Sequence, residues 1–187
     1  MIRLVAFLLV ATLALAPARA FDYRAMHLLE DRNTHLILRI SDPPPEGDPP
    51  QRGRAECNDI DVLDRRGRNL ANAFGRALNR SSIGFSDIIT SRLCRNIEAA
   101  TILHLGSVKV NPALDPLAEG EAGERQLDEV YSLIEARRDD QTVLLLTHPS
   151  VIEALTGEEL TVGEGMVFRL PPFGEIEVRA RFGLPPV

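Results

Sequence analysis

Residues 142–150 read Thr142-Val143-Leu144-Leu145-Leu146-Thr147-His148-Pro149-Ser150. Four consecutive aliphatic residues between two threonines leave no polar face to alternate against. A run this short and this apolar describes a strand covered on both sides, as in a sheet flanked by helices. It runs directly into His148 and a short helix ending near Gly157.

Working outward, Thr34-His35-Leu36-Ile37-Leu38-Arg39-Ile40 reads as a second buried strand, 34–40. Residues 41–56, with Pro43, Pro44, Pro45, Pro49 and Pro50, can be neither helix nor central strand and read as a surface loop. Residues 64–80 form an expected helix with Asp64 as N-cap and Leu70, Ala71, Phe74, Ala77 and Leu78 as its apolar stripe. Its arginines fall mostly elsewhere and read as a solvated face. A strand follows at 85–90, a helix at 92–104, a short strand at 107–110 and a helix at 121–138. Segments 167–170 and 176–179 read as a closing hairpin around Pro171, Pro172 and Gly174. Strands alternating with helices predict an α/β fold, a three-layer αβα arrangement with a largely parallel central sheet.

Composition narrows the function. The chain has 187 residues, 44% hydrophobic and 26% charged, which is globular and leaves room for one ordinary domain. With 21 basic against 27 acidic residues the net charge is −6, which argues against nucleic acid as a partner. Residues 1–20 carry Arg3, an apolar stretch from Leu4 to Leu15, and the small-x-small site Ala18-Arg19-Ala20. These are the three regions of a secretory signal peptide. The expected mature chain is 21–187, a single domain in the periplasm or outside the cell, with no stable membrane insertion after cleavage. Arg3 and Arg19 leave with the leader, which takes the net charge from −6 to −8. In an oxidising compartment Cys57 and Cys94 are expected to form a disulfide, the alternative being two buried thiols. Closing that loop of about 38 residues is worth roughly 4 kcal/mol in the chain-entropy model. The four histidines and two cysteines show no metal-ligand spacing, so neither metal nor cofactor is expected.

Ligands in open α/β sheets sit at the carboxyl ends of the strands. Three of those ends carry chemistry: Arg39 closes the first, Ser91-Arg92-Leu93-Cys94-Arg95 follows the second, and His148 closes the strand at 142–147. Each alone is ordinary, since a lone Arg is usually a surface charge. Two guanidiniums and an imidazole at matching strand ends suit a compact anion such as phosphate.

Here the sequence resembles the histidine phosphatase superfamily, the group of phosphoglycerate mutases and histidine acid phosphatases, and within it small exported bacterial members. The resemblance spans about 34–180. It rests on Cys94-Arg95-Asn96-Ile97-Glu98-Ala99-Ala100, on Leu63-Asp64-Arg65-Arg66-Gly67-Arg68, and on the strand into Thr147-His148 followed by Ala154-Leu155-Thr156-Gly157. It implies a phosphoryl-transfer pocket in which a His after the first Arg attacks phosphorus, two Arg and a second His hold the oxygens, and a carboxylic acid protonates the leaving group. On that pattern Arg39, Arg95 and His148 match the anion-holding residues, and Asp115 or Glu119 is the candidate acid. Both cysteine positions also match the exported subgroup.

The nucleophile departs from the pattern. Its position is Ile40, which has no lone pair to offer phosphorus. Ser41 follows, where the family has a small residue, and Asp61 stands where the family tends to have Arg. His35 lies at the other end of the same strand. The sequence therefore leaves three readings. One is a degenerate phosphatase that binds a phosphate-bearing small molecule or protein. Another is an active phosphomonoesterase rerouted through His148. The third is an interaction protein without a ligand.

Overall fold

The computed structural model describes residues 21–40, 62–81, 83–137, 141–172 and 174–184. The expected leader at 1–20, the proline-rich stretch 41–56 with Ser41, and Cys57 and Asp61 lie outside the described residues.

Six strands form one sheet in the order β3-β2-β4-β1-β5-β6. They are β1 (Thr34–Arg39), β2 (Asp87–Thr90), β3 (Val108–Val110), β4 (Val143–Leu146), β5 (Glu164–Arg169) and β6 (Glu177–Gly183). The first four run parallel, and β5 and β6 are antiparallel additions beside β1. The strand read from Val143 to Leu146 sits between β2 and β1, covered on both faces, and all four of its residues are buried. The closing hairpin is real but longer than its sequence suggested, because β6 is a half-exposed strand whose polar alternation hides its extent.

Among the described residues five α-helices pack against the sheet: α1 (Tyr23–His27), α2 (Arg65–Ser81), α3 (Cys94–Ile102), α4 (Glu121–Glu135) and α5 (Pro149–Thr156). The alternation of β1 separates two cores. Leu36, Leu38 and Ile40 join Phe74, Leu78, Ala99 and Leu103 beneath α1, α2 and α3. Ile37 joins Val130, Ile134, Val151 and Ile152 beneath α4 and α5. The fold is thus a three-layer αβα arrangement around a mixed, largely parallel sheet.

Local chemistry sets the helix ends. Asp64 caps α2, its Oδ1 accepting from the Gly67 N–H at 2.6 Å. Gly157 ends α5 in the left-handed region at φ 68°, a conformation that favours glycine. The α3 helix starts two residues later than its periodicity suggested. The Arg92 N–H is drawn to Asp115 and the Leu93 N–H to Ser91 Oγ, leaving Leu93 extended. The short α1 has no periodicity to read, although Asp22 caps it by accepting from the Arg24 N–H at 2.8 Å.

Phe21, the first residue after the expected cleavage site, packs its ring 5.9 Å from Phe74 and 5.9 Å from Phe182. Where α2 meets α3, Gly75 lies against the Leu103 backbone, and a Cβ there would come within 2.3 Å of the Leu103 carbonyl oxygen.

Candidate functional site

Register places three sequence-selected residues on one edge. Leu38 is level with Leu146, and Leu146 with Thr90. Arg39, His148 and the turn to Arg95 therefore leave the carboxyl ends of three adjacent parallel strands, β1, β4 and β2.

Arg39 is the last residue of β1, and its Nη1 donates to the Leu160 carbonyl at 2.5 Å. The bond anchors the guanidinium to the segment between α5 and β5. Arg95 sits in the first turn of α3 and is only 7% exposed. The turn beneath it is stiffened by Ser91, fully buried, whose Oγ accepts from Asn96 Nδ2 at 2.9 Å.

His148 is the N-cap of α5, with Pro149 opening the helix. Its Nδ1 accepts from the Ser150 N–H at 3.3 Å and lies 2.9 Å from Ser150 Oγ. A backbone N–H can only donate, so Nδ1 carries the lone pair and, in the neutral ring, Nε2 carries the proton. His148 is thereby set as a hydrogen-bond donor at Nε2, a role suited to an oxyanion and not to nucleophilic attack. Ser150 also receives the Leu117 N–H at 2.9 Å, and Thr147 Oγ1 donates to the Leu114 carbonyl at 2.6 Å. Both bonds pin the segment before α4 beside this edge.

That segment carries the two candidate acids. Asp115 accepts from the Arg92 N–H at 2.8 Å through one oxygen and from Arg92 Nε at 2.6 Å through the other. With both oxygens engaged it acts as a tether for the 91–95 turn. Glu119 is exposed on the approach to α4.

Ile40 follows Arg39 and is 3% exposed, within the cluster of Leu36, Leu38 and Leu63. The residues alone left two placements for this side chain, beside the Arg39, Arg95 and His148 groups or continuing the apolar run of β1 into the core. It joins Leu36 and Leu38 in the core beneath α2 and α3.

Sequence reading quoted Glu98 and Arg68 within motifs but gave them no role. Glu98 accepts from Arg68 Nε at 2.6 Å and from the Leu63 N–H at 3.1 Å, joining the start of α2 to α3. A Glu four residues after Cys94 and an Arg following Gly67 were the available signals. Among the described residues no group of three or more His, Cys, Asp or Glu is arranged to hold a metal. Likewise, no described helix is long and apolar enough to cross a membrane.

Solved structures with the same arrangement are numerous. A putative α-ribazole-5′-P phosphatase from Escherichia coli superposes with a TM-score of 0.61 at 13% identity, covering 84% of this chain and 100% of that one. The chain has the histidine phosphatase fold. The protein histidine phosphatase SixA, solved with tungstate, matches at TM-score 0.57 and 16% identity over 80% of this chain and 96% of that one. A mutant phosphoserine phosphatase from Entamoeba histolytica, solved with phosphoserine, matches at 0.58 and 14% over 80% and 96%. No family model and no curated protein matches the sequence. At these identities the likeness is one of histidine phosphatase fold alone.

Proposed function

We propose that this chain is an exported member of the histidine phosphatase superfamily that has lost phosphohistidine chemistry and keeps a pocket for a phosphate-bearing small molecule or protein. The observation that carries the proposal is Ile40. The residue after the first-strand arginine is an aliphatic side chain buried at 3% exposure in the apolar core. Covalent phosphoryl transfer needs a lone pair at that position, and a hydrocarbon supplies none.

Three groups support retained anion binding. Arg39 closes β1 and Arg95 lies in the first turn of α3 after β2, the two strands flanking β4, and both supply charge, while His148 after β4 presents a donor at Nε2. Guanidinium groups and an imidazole N–H make charge-assisted hydrogen bonds to phosphate oxygens without any chemistry following. The same tautomer counts against rerouted catalysis, since His148 as held offers a proton and no lone pair at Nε2. Export and a Cys57–Cys94 bridge belong to the same proposal. Cys94 is not a free thiol, which supports the bridge.

Turnover and binding measured together test the reading. Purified mature protein should raise its Tm with orthovanadate or phosphate, hydrolyse no aryl phosphate, and yield no acid-labile phosphoenzyme after a quench. Aryl phosphate turnover that disappears in His148→Ala would establish the rerouted enzyme instead. A Tm indifferent to both anions would leave an interaction protein without a ligand.

A further inference from the structure

A cavity lies at the end of the sheet opposite Arg39 and His148, and it shares no lining residue with the proposed anion pocket. It has a volume of about 300 Å³ and is lined by Asn33, His35, Glu135 and Arg137 together with Ile134 and the Leu170–Pro172 segment. His35 is the second residue of β1, so the cavity lies about 13 Å from Arg39 at about 3.3 Å per strand residue.

The cavity is bounded by fixed groups. Asn33 holds the left-handed conformation at φ 56°, which asparagine tolerates, and its carbonyl accepts from the Leu170 N–H at 3.0 Å. His35 is 3% exposed, and its Nδ1 accepts from the Val143 N–H at 3.3 Å. The proton of the neutral ring therefore resides on Nε2, for which the described residues provide no acceptor. That nitrogen is not sealed from solvent, so a group entering the cavity can meet it. Arg137 turns Nε and Nη2 to Asp87 at 2.8 and 2.7 Å, and its Nη1 donates to the Leu133 carbonyl at 2.6 Å. Each terminal nitrogen retains a second N–H.

Charge decides the class of occupant. Asp87 is shared between Arg137 and Lys109, so these three groups carry one net positive charge. Glu135, exposed at the rim, supplies one negative charge. A simple carboxylate would meet Glu135 unfavourably, and a simple amine would meet Arg137. The rest of the lining, Ile134, Leu170, Pro171 and Pro172, is apolar. We propose that this cavity binds a zwitterionic α-amino acid with an apolar side chain. The carboxylate accepts from His35 Nε2 and Arg137, the ammonium pairs with Glu135, and the side chain covers the apolar wall.

Calorimetric titration of the mature protein with L-leucine, L-leucinamide and N-acetyl-L-leucine tests the assignment. L-Leucine should saturate at millimolar or lower concentration, and each derivative, lacking one charge, should bind at least tenfold more weakly. In NMR spectra L-leucine methyl protons should show NOEs to the Ile134 and Leu170 methyls, a readout that needs no variant. His35→Phe should abolish binding while the vanadate response of the anion pocket persists, and Arg95→Gln should do the reverse. No saturation below about 10 mM, where binding is worth less than 3 kcal/mol, overturns the proposal. So does equal binding of the three compounds, or loss of L-leucine binding in Arg95→Gln.

Discussion

Arg39 and Ile40 are adjacent in sequence and belong to opposite layers of the molecule. The Arg39 guanidinium donates to the Leu160 carbonyl at 2.5 Å, beside the core under α4 and α5, whereas Ile40 packs with Leu36 and Leu38 under α2 and α3. Strand alternation imposes the split. The arginine proposed to hold an anion thus lies one residue before a side chain that belongs to the core.

That placement changes what substitution at Ile40 should do. At 3% exposure, Ile40→Ala should lower stability by about 2–5 kcal/mol through lost burial and the cavity left behind. Ile40→His should cost about 1–3 kcal/mol, because an imidazole among Leu36, Leu38 and Leu63 lacks partners that water would offer at a pocket mouth. Urea unfolding of the two variants measures both. A neutral result for Ile40→His would show that the side chain reaches solvent.

Vanadate should stabilise the wild type by about 2.7 kcal/mol when present at 100 times its Kd. The increment should vanish in Arg95→Gln, whose parent side chain is 7% exposed at the head of α3. Thermal unfolding with and without the anion checks this. An undiminished increment in the variant would place the anion elsewhere.

Burial and the nearby Arg137 charge lower the His35 pKa from 6.5 to about 4. Between those two values the unfolded chain binds the proton and the folded chain does not. Stability from this residue is therefore complete above pH 6.5 and is lost as pH falls toward 4, by at most about 3 kcal/mol. Denaturant midpoints across pH 4–7 should show the slope, and His35→Gln should flatten it.

Gly75→Ala should destabilise the protein by about 1–3 kcal/mol despite alanine's better helix propensity, because the new Cβ would sit 2.3 Å from the Leu103 carbonyl oxygen. Backbone is the obstacle, so α2 and α3 must move apart. Chemical denaturation of the variant reads the cost, and a gain in stability would contradict the close contact.

Thiol titration of protein recovered from an oxidising compartment, unfolded without reductant, should find almost no free cysteine. Two titratable thiols would end the bridge proposal for Cys57 and Cys94.

Local pattern alone determined much of this molecule. The aliphatic runs at Leu36–Leu38 and Val143–Leu146 could only be doubly covered strands, since no alternation left a face for water. Asp64 and Gly157 marked helix ends through chemistry that acts within a few residues. The residues Arg39, Arg95 and His148 were legible because strand ends are legible. Only the tertiary structure decided the order β2-β4-β1, which makes those three ends neighbours, and the full length of β6, whose mixed exposure blurs its period. It also turned Asp115 into the tether of Arg92, joined Glu98 to Arg68, and opened a cavity between His35 and Arg137. Those contacts join residues 23, 30 and 102 positions apart, and no local periodicity records which distant side chain a carboxylate or an imidazole will meet.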